Sequence, residues 1–178
     1  MDLHAAFFVL RVFAGLVIAG HGAQKVAGWA GGPGLESWKA NVERMGMQPH
    51  RLWAHAAAWG ELVGGTCLAA GLLTGVAAGV LVMDMIVAIW KVHAAKGFWI
   101  SRGGYEYALT DLVVFALVGL AGPGVYALDT PLRLASWSAP LFLVTIVLGL
   151  VTMWSGTRPA VRIAGGETEV ERRRHHAA

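Results

Sequence analysis

The chain has a single cysteine, Cys67, in 178 residues. That excludes an internal disulfide and a CxxC redox pair, so any thiol chemistry needs a partner. Charge is also scarce. Asp, Glu, Lys and Arg together make 14% of the residues against 56% hydrophobic, which excludes an ordinary soluble domain and indicates an integral membrane protein. The mean hydropathy of +0.57 agrees. The basic residues behind the pI of about 9.4 are dispersed over loops and a tail. Without a basic groove or interleaved aromatic platform they do not imply nucleic acid. No Lys or Arg precedes the first apolar run and Arg11 interrupts it, so that run does not read as a cleaved signal peptide. Period-two alternation is missing from the long apolar runs, which excludes barrel strands, and an open sheet would leave backbone unsatisfied in lipid.

What is present is five apolar segments of the length that crosses about 30 Å of hydrocarbon. They run approximately from His4 to Gln24, Leu52 to Leu72, Val76 to His93, Glu106 to Leu120 and Ser138 to Trp154. The second and third are joined by Leu73-Thr74-Gly75 alone and must form an antiparallel hairpin. Small residues at spacing four, Gly60 with Gly64 and then Gly71, Gly75 and Gly79, predict close helix packing. Between the first two segments, Leu35, Trp38, Val42 and Met45 recur at helical spacing with Glu36, Lys39, Glu43 and Arg44 on other faces. This predicts a short interfacial helix near residues 35–46, an anchor at headgroup level or a lid over a cavity.

Lys25, Lys39, Arg44, Arg51, Lys96, Arg102 and the tail residues Arg158, Arg162, Arg172, Arg173 and Arg174 fall on one side of this arrangement, and Arg133 alone on the other. The asymmetry predicts a multi-pass protein with the amino terminus outside and the carboxyl terminus in the cytoplasm.

The charges inside the apolar runs carry the functional expectation. Arg11, Glu61, Asp84, Lys91 and Asp111 would each cost roughly 2.5 to 3.5 kcal/mol facing lipid at a helix centre, so a buried charge network is expected among them. Arg11 is expected to pair with Glu61 or Asp84, and Asp84 to share a face with Lys91, seven residues on. His21, Lys25, His55, Lys91, His93, Tyr105, Glu106 and Tyr107 all fall in the cytoplasmic half. They suggest a polar funnel rimmed by Trp90, Phe98 and Trp99, within a purely structural polar lock as the plainer alternative. His21, His55 and His93 come from three helices and are the weak candidates for a metal. No HxxxH or HxxE pair supports that reading, although two such histidines also suffice to ligate a haem. His175 and His176 read as solvated tail residues.

Several motifs occur in order: HGAQK (His21 to Lys25) on a helix containing Arg11, GELVGG (Gly60 to Gly65), GFW (Gly97 to Trp99), GGYEY (Gly103 to Tyr107) and GPGVYALD (Gly122 to Asp129). Together they resemble the DoxX family of bacterial membrane proteins over roughly Phe7 to Asp129. The resemblance implies a four-helix transmembrane bundle over residues 1–129, so that the last apolar run, as a fifth C-terminal transmembrane helix over 130–156, and a polar cytoplasmic tail over 157–178 are additions to it in an all-α integral membrane protein. It also implies a bacterial inner-membrane role linked to redox chemistry, since DoxX-like proteins include or are similar to subunits of thiosulfate:quinone oxidoreductase. His21, Glu61, Trp99, Tyr105 and Glu106 match the family pattern, and with Lys25 and Tyr107 they are the candidate ligand or proton-relay residues.

The expected function is binding of a quinone, or of a small sulfur-containing substrate, in a cytoplasmic-side cavity. The expected partners are the bilayer, a soluble oxidoreductase or sulfurtransferase, and a second copy of the chain. A non-catalytic anchor for a soluble oxidoreductase and a proton-coupled carrier using Glu61 and Asp84 are the alternatives.

Overall fold

The computed structural model describes residues 2–156, and the expectations placed on the tail, residues 157–178, lie outside them. The described residues form helices and no strands. Helix α1 runs from Leu3 to Ala27, α2 from Gly34 to Arg44, α3 from His50 to Ala70, α4 from Thr74 to Ala88, α5 from Glu106 to Ala121 and α6 from Ser138 to Gly156. Three stretches, Leu3–Ala27, Thr74–Lys96 and Ala135–Trp154, are long and apolar enough to cross a membrane.

Local chemistry sets these limits. Asp2 caps α1 by accepting from the Ala5 amide at 2.8 Å. Gly28, at φ 69°, ends the helix in the left-handed conformation that glycine adopts without a Cβ penalty. At the end of α4 the chain widens into a π-helical turn over Ile89–His93 before a tighter turn at Ala94–Lys96.

The bundle is held by close backbone approach. A Cβ on Gly22 would lie 2.2 Å from the Leu62 backbone nitrogen, and one on Gly65 would lie 2.6 Å from that of Ala19. Helices α1 and α3 therefore touch backbone to backbone. Gly60 and Gly64, the step read from the sequence, instead face α4 at looser range, Gly60 the Val80 side chain and Gly64 the Leu81 side chain and the Ala77 carbonyl. Gly75 lies against Ser138 and Gly79 against Thr145, which seats α6 on α4. Leu68, Leu81, Phe115 and Val118 are fully buried where α3, α4 and α5 meet, and Phe142 of α6 joins them.

One end of the bundle is tied by two buried charges. Arg11 donates from Nη1 to the carbonyls of Leu68 (2.6 Å) and Ala69 (2.7 Å), and from Nη2 to that of Tyr126 (2.7 Å). The first two carbonyls belong to the last turn of α3, where the helix dipole favours a cation, and the third to the loop after α5. Asp129 accepts from the amides of Leu73 (2.7 Å) and Thr74 (2.8 Å) at the start of α4, where the dipole favours an anion. The two helix termini that meet at the turn of the α3–α4 hairpin are thus matched by side chains of opposite sign, Arg11 at the end of α3 and Asp129 at the start of α4. Arg11 consequently does not pair with Glu61 or Asp84. Its guanidinium instead meets backbone carbonyls through Nη1 and Nη2, while Nε is buried without a partner.

Candidate functional site

At the other end of the bundle, α1 and α3 approach closely enough for Lys25 to reach into the interior. Its Nζ lies 2.5 Å from Glu61 Oε1, and Glu61 is 3% exposed. The same ammonium stands 4.5 Å from the centre of the Trp38 ring on α2. Trp38 is itself fixed, its indole donating to the Ala54 carbonyl at 3.1 Å. One cation is therefore held between a carboxylate and an aromatic face, a geometry that stabilises it once water is excluded.

Glu61 has a second neighbour. Asp84, on α4, comes within side-chain hydrogen-bonding reach of it, while Glu61 Oε2 is buried with no donor. Two facing carboxylates can hydrogen-bond to each other only through a proton. His21 lies close enough to interact electrostatically with Lys25 and Asp84, and its ring is 6.0 Å from that of Tyr107. Tyr107 in turn faces Asp111. Asp111 Oδ2 is buried without a partner. The structure thus brings together His21, Lys25, Glu61, Asp84, Tyr107 and Asp111 from four helices.

A cavity of about 460 Å³ opens beside this cluster. Lys25 and Asp84 stand at its wall; Trp38, Trp53 and the methionines Met45, Met47, Met83 and Met153 supply much of the remainder. Thr145, Leu148 and Thr152 of α6 close one side. Neither the α6 wall nor Trp38 as a partner of Lys25 was anticipated from the sequence. The amphipathic spacing of α2 marked Trp38 as an inward position, but its contact with Lys25 depends on how the α1–α2 loop folds back.

Other expected members lie elsewhere. Trp99 and Tyr105 stack edge-on around Phe98, with centroids 4.9 and 5.6 Å away, in the loop between α4 and α5. Trp99 is 59% exposed. Glu106 accepts from the Ile100 amide at 3.0 Å, which secures that loop rather than reaching the cluster. Lys91 lies 3.9 Å over the ring of its neighbour Trp90 and forms no ion pair with Asp84. The π-helical turn is the reason, since it breaks the 3.6-residue phase on which the shared face of residues 84 and 91 was based. His93 Nδ1 meets the Gly103 carbonyl at 2.7 Å, closing the same loop. His21, His55 and His93 do not form a metal cluster, and among the described residues no group of three or more His, Cys, Asp or Glu stands ready for one. On α2, the hydrogen bond from Lys39 holds the exposed Glu36 carboxyl below the usual carboxylate range.

No curated protein and no solved structure matches the chain. The DoxX family model matches residues 6–94, a segment that contains Arg11, His21, Lys25, Glu61 and Asp84 and ends before the α4–α5 loop. With half of its length matched, this membrane protein belongs to the DoxX family.

Proposed function

We propose that the protein is a DoxX subunit of a redox-linked system in the bacterial inner membrane, and that it binds a quinone in the cavity beside Lys25, Glu61 and Asp84. The single observation that carries the reading is Lys25, which stands with Asp84 on the wall of a cavity lined mostly by Trp, Met and aliphatic side chains and is held 2.5 Å from the buried Glu61. A quinone has the matching shape: a flat ring with hydrogen-bonding oxygens and an apolar tail. Lys25 donates to a ring oxygen, and the facing carboxylates hold the proton that accompanies electron transfer. The charge balance, one ammonium to two carboxylates, favours this neutral ligand over a small sulfur anion.

In this reading all five apolar helices span the bilayer, with the amino terminus outside and the tail inside. Helix α2 lies at the cytoplasmic interface, roofing the cavity through Trp38 and Val42. The family module extends to residue 129 and α6 adds the last wall, with an electron-transferring soluble partner docking on the cytoplasmic side.

Titration of the purified protein with ubiquinone and menaquinone analogues tests this. Saturable binding, weakened about tenfold or more in folded Lys25→Met and Glu61→Gln variants, is the expected result. Absence of saturable binding by the wild type refutes it and leaves the anchor role in its place.

A further inference from the structure

The Trp-, Met- and carboxylate-lined cavity has a charge pattern that goes beyond quinone binding. Lys25 is already committed, to Glu61 at 2.5 Å and to the Trp38 face. Asp84 lines the cavity and belongs to no ion pair among the described residues. Glu61, 3% exposed, leaves Oε2 without a donor beside it. With both carboxylates ionised, the trio of Lys25, Glu61 and Asp84 is one positive charge short, and the shortfall is presented at the Asp84 wall. Around it stand two indoles and four of the chain's six methionines. Aromatic faces attract organic cations, and thioether side chains repack around apolar bodies of differing shape.

We propose that this cavity is a binding site for hydrophobic monovalent organic cations, with Asp84 as the counter-ion, the cation displacing the proton shared between Asp84 and Glu61. The inference rests on the cavity and its charges and not on the redox reading. The groups facing Asp84 are His21 and Lys25 from α1 and Glu61 from α3, with Tyr107 and Asp111 of α5 beyond Glu61. Helices α2 and α6 present Trp38, Val42, Thr145 and Leu148 to the cavity and no charge. Charge balance gives the exchange directly: one cation enters and one proton leaves. Affinity for the cation accordingly rises with pH, by up to about tenfold per unit while the proton remains bound in the free protein.

Tetraphenylphosphonium and tetraphenylborate, alike in size and shape but opposite in charge, make the test. Each is titrated by isothermal calorimetry into the full-length protein in nanodiscs of zwitterionic lipid, in buffers of differing ionisation enthalpy. The proposal expects saturable phosphonium binding with release of about one proton, and borate binding weaker by about thirtyfold or more. Asp84→Asn should weaken phosphonium binding about tenfold or more and abolish proton release. Equal binding of the two ions by the wild type overturns the proposal whether or not the variant folds, as does full-affinity, proton-releasing binding by Asp84→Asn. A quinone-analogue titration on the same nanodiscs separates the two readings. Phosphonium binding without quinone binding leaves this inference standing and removes the proposed function; the reverse outcome removes only the inference.

Discussion

At the scale of single residues, the two long basic side chains of α1 have different assignments: Arg11, expected in the buried charge network, binds backbone, and Lys25, expected among the ligand or proton-relay residues, binds Glu61. Arg11 satisfies three carbonyls with its planar fork, a geometry a point charge cannot reproduce. Arg11→Met should destabilise the protein by about 3 kcal/mol because the carbonyls at the end of α3 are left buried and unpaired, and Arg11→Lys should fall between it and wild type. Thermal unfolding in detergent checks the order; a lysine variant as stable as wild type would show that charge alone suffices. Lys25 belongs to a pair. Lys25→Met leaves Glu61 without its cation and should cost about 3 kcal/mol, whereas Lys25→Met with Glu61→Gln should cost less than that single variant. Additive effects in that double-mutant cycle would mean the 2.5 Å contact contributes no coupling. The sequence exposed Arg11 as a charge inside an apolar run and Lys25 as a charge just past the end of the same run. It did not reveal their partners: Arg11's are backbone atoms, which carry no residue identity, and Trp38 meets Lys25 only through tertiary folding.

At the scale of helices, the apolar runs and the glycines that interrupt them made the elements legible. The expected segment from His4 to Gln24 became Leu3–Ala27, and that from Ser138 to Trp154 became Ser138–Gly156. Contacts that depend on helical phase were legible only where the helix stays regular. Glu61 and Lys25 could be placed at similar depth, but Lys91 could not be placed correctly, because no residue in Ile89–His93 announces a π-helical turn. Gly60 and Gly22 look equivalent in the sequence and differ in the bundle. Gly22→Ala would place a Cβ 2.2 Å from backbone and should separate α1 from α3, lowering the melting temperature by several degrees and weakening ligand binding. Gly60→Ala meets only a valine methyl at 3.2 Å and gains helix propensity, so its net effect should stay under about 1 kcal/mol. Equal losses in the two variants would refute the backbone-to-backbone account of this interface.

At the scale of the molecule, charge is segregated between two ends. One end holds the Arg11 and Asp129 ties of the α3–α4 hairpin; the other holds Lys25, Glu61 and Asp84 beside the cavity. A scaffold fixed at one end leaves the other end to carry the groups beside the cavity. The orientation has its own prediction. In a Cys67→Ala background, a cysteine at Leu132 should react with an impermeant reagent in intact cells and one at Ser101 should not; the opposite pattern would invert the topology. The most direct test of the central claim is photoaffinity labelling of the full-length protein in native membranes with an azido-quinone, followed by peptide mapping. The account predicts label on the α2 and α6 cavity walls, at Trp38, Met45 or Met153, removed by excess unlabelled quinone and reduced in a folded Lys25→Met variant. Label confined to the outer faces of α1 and α5, unchanged by competitor or by that variant, would contradict it.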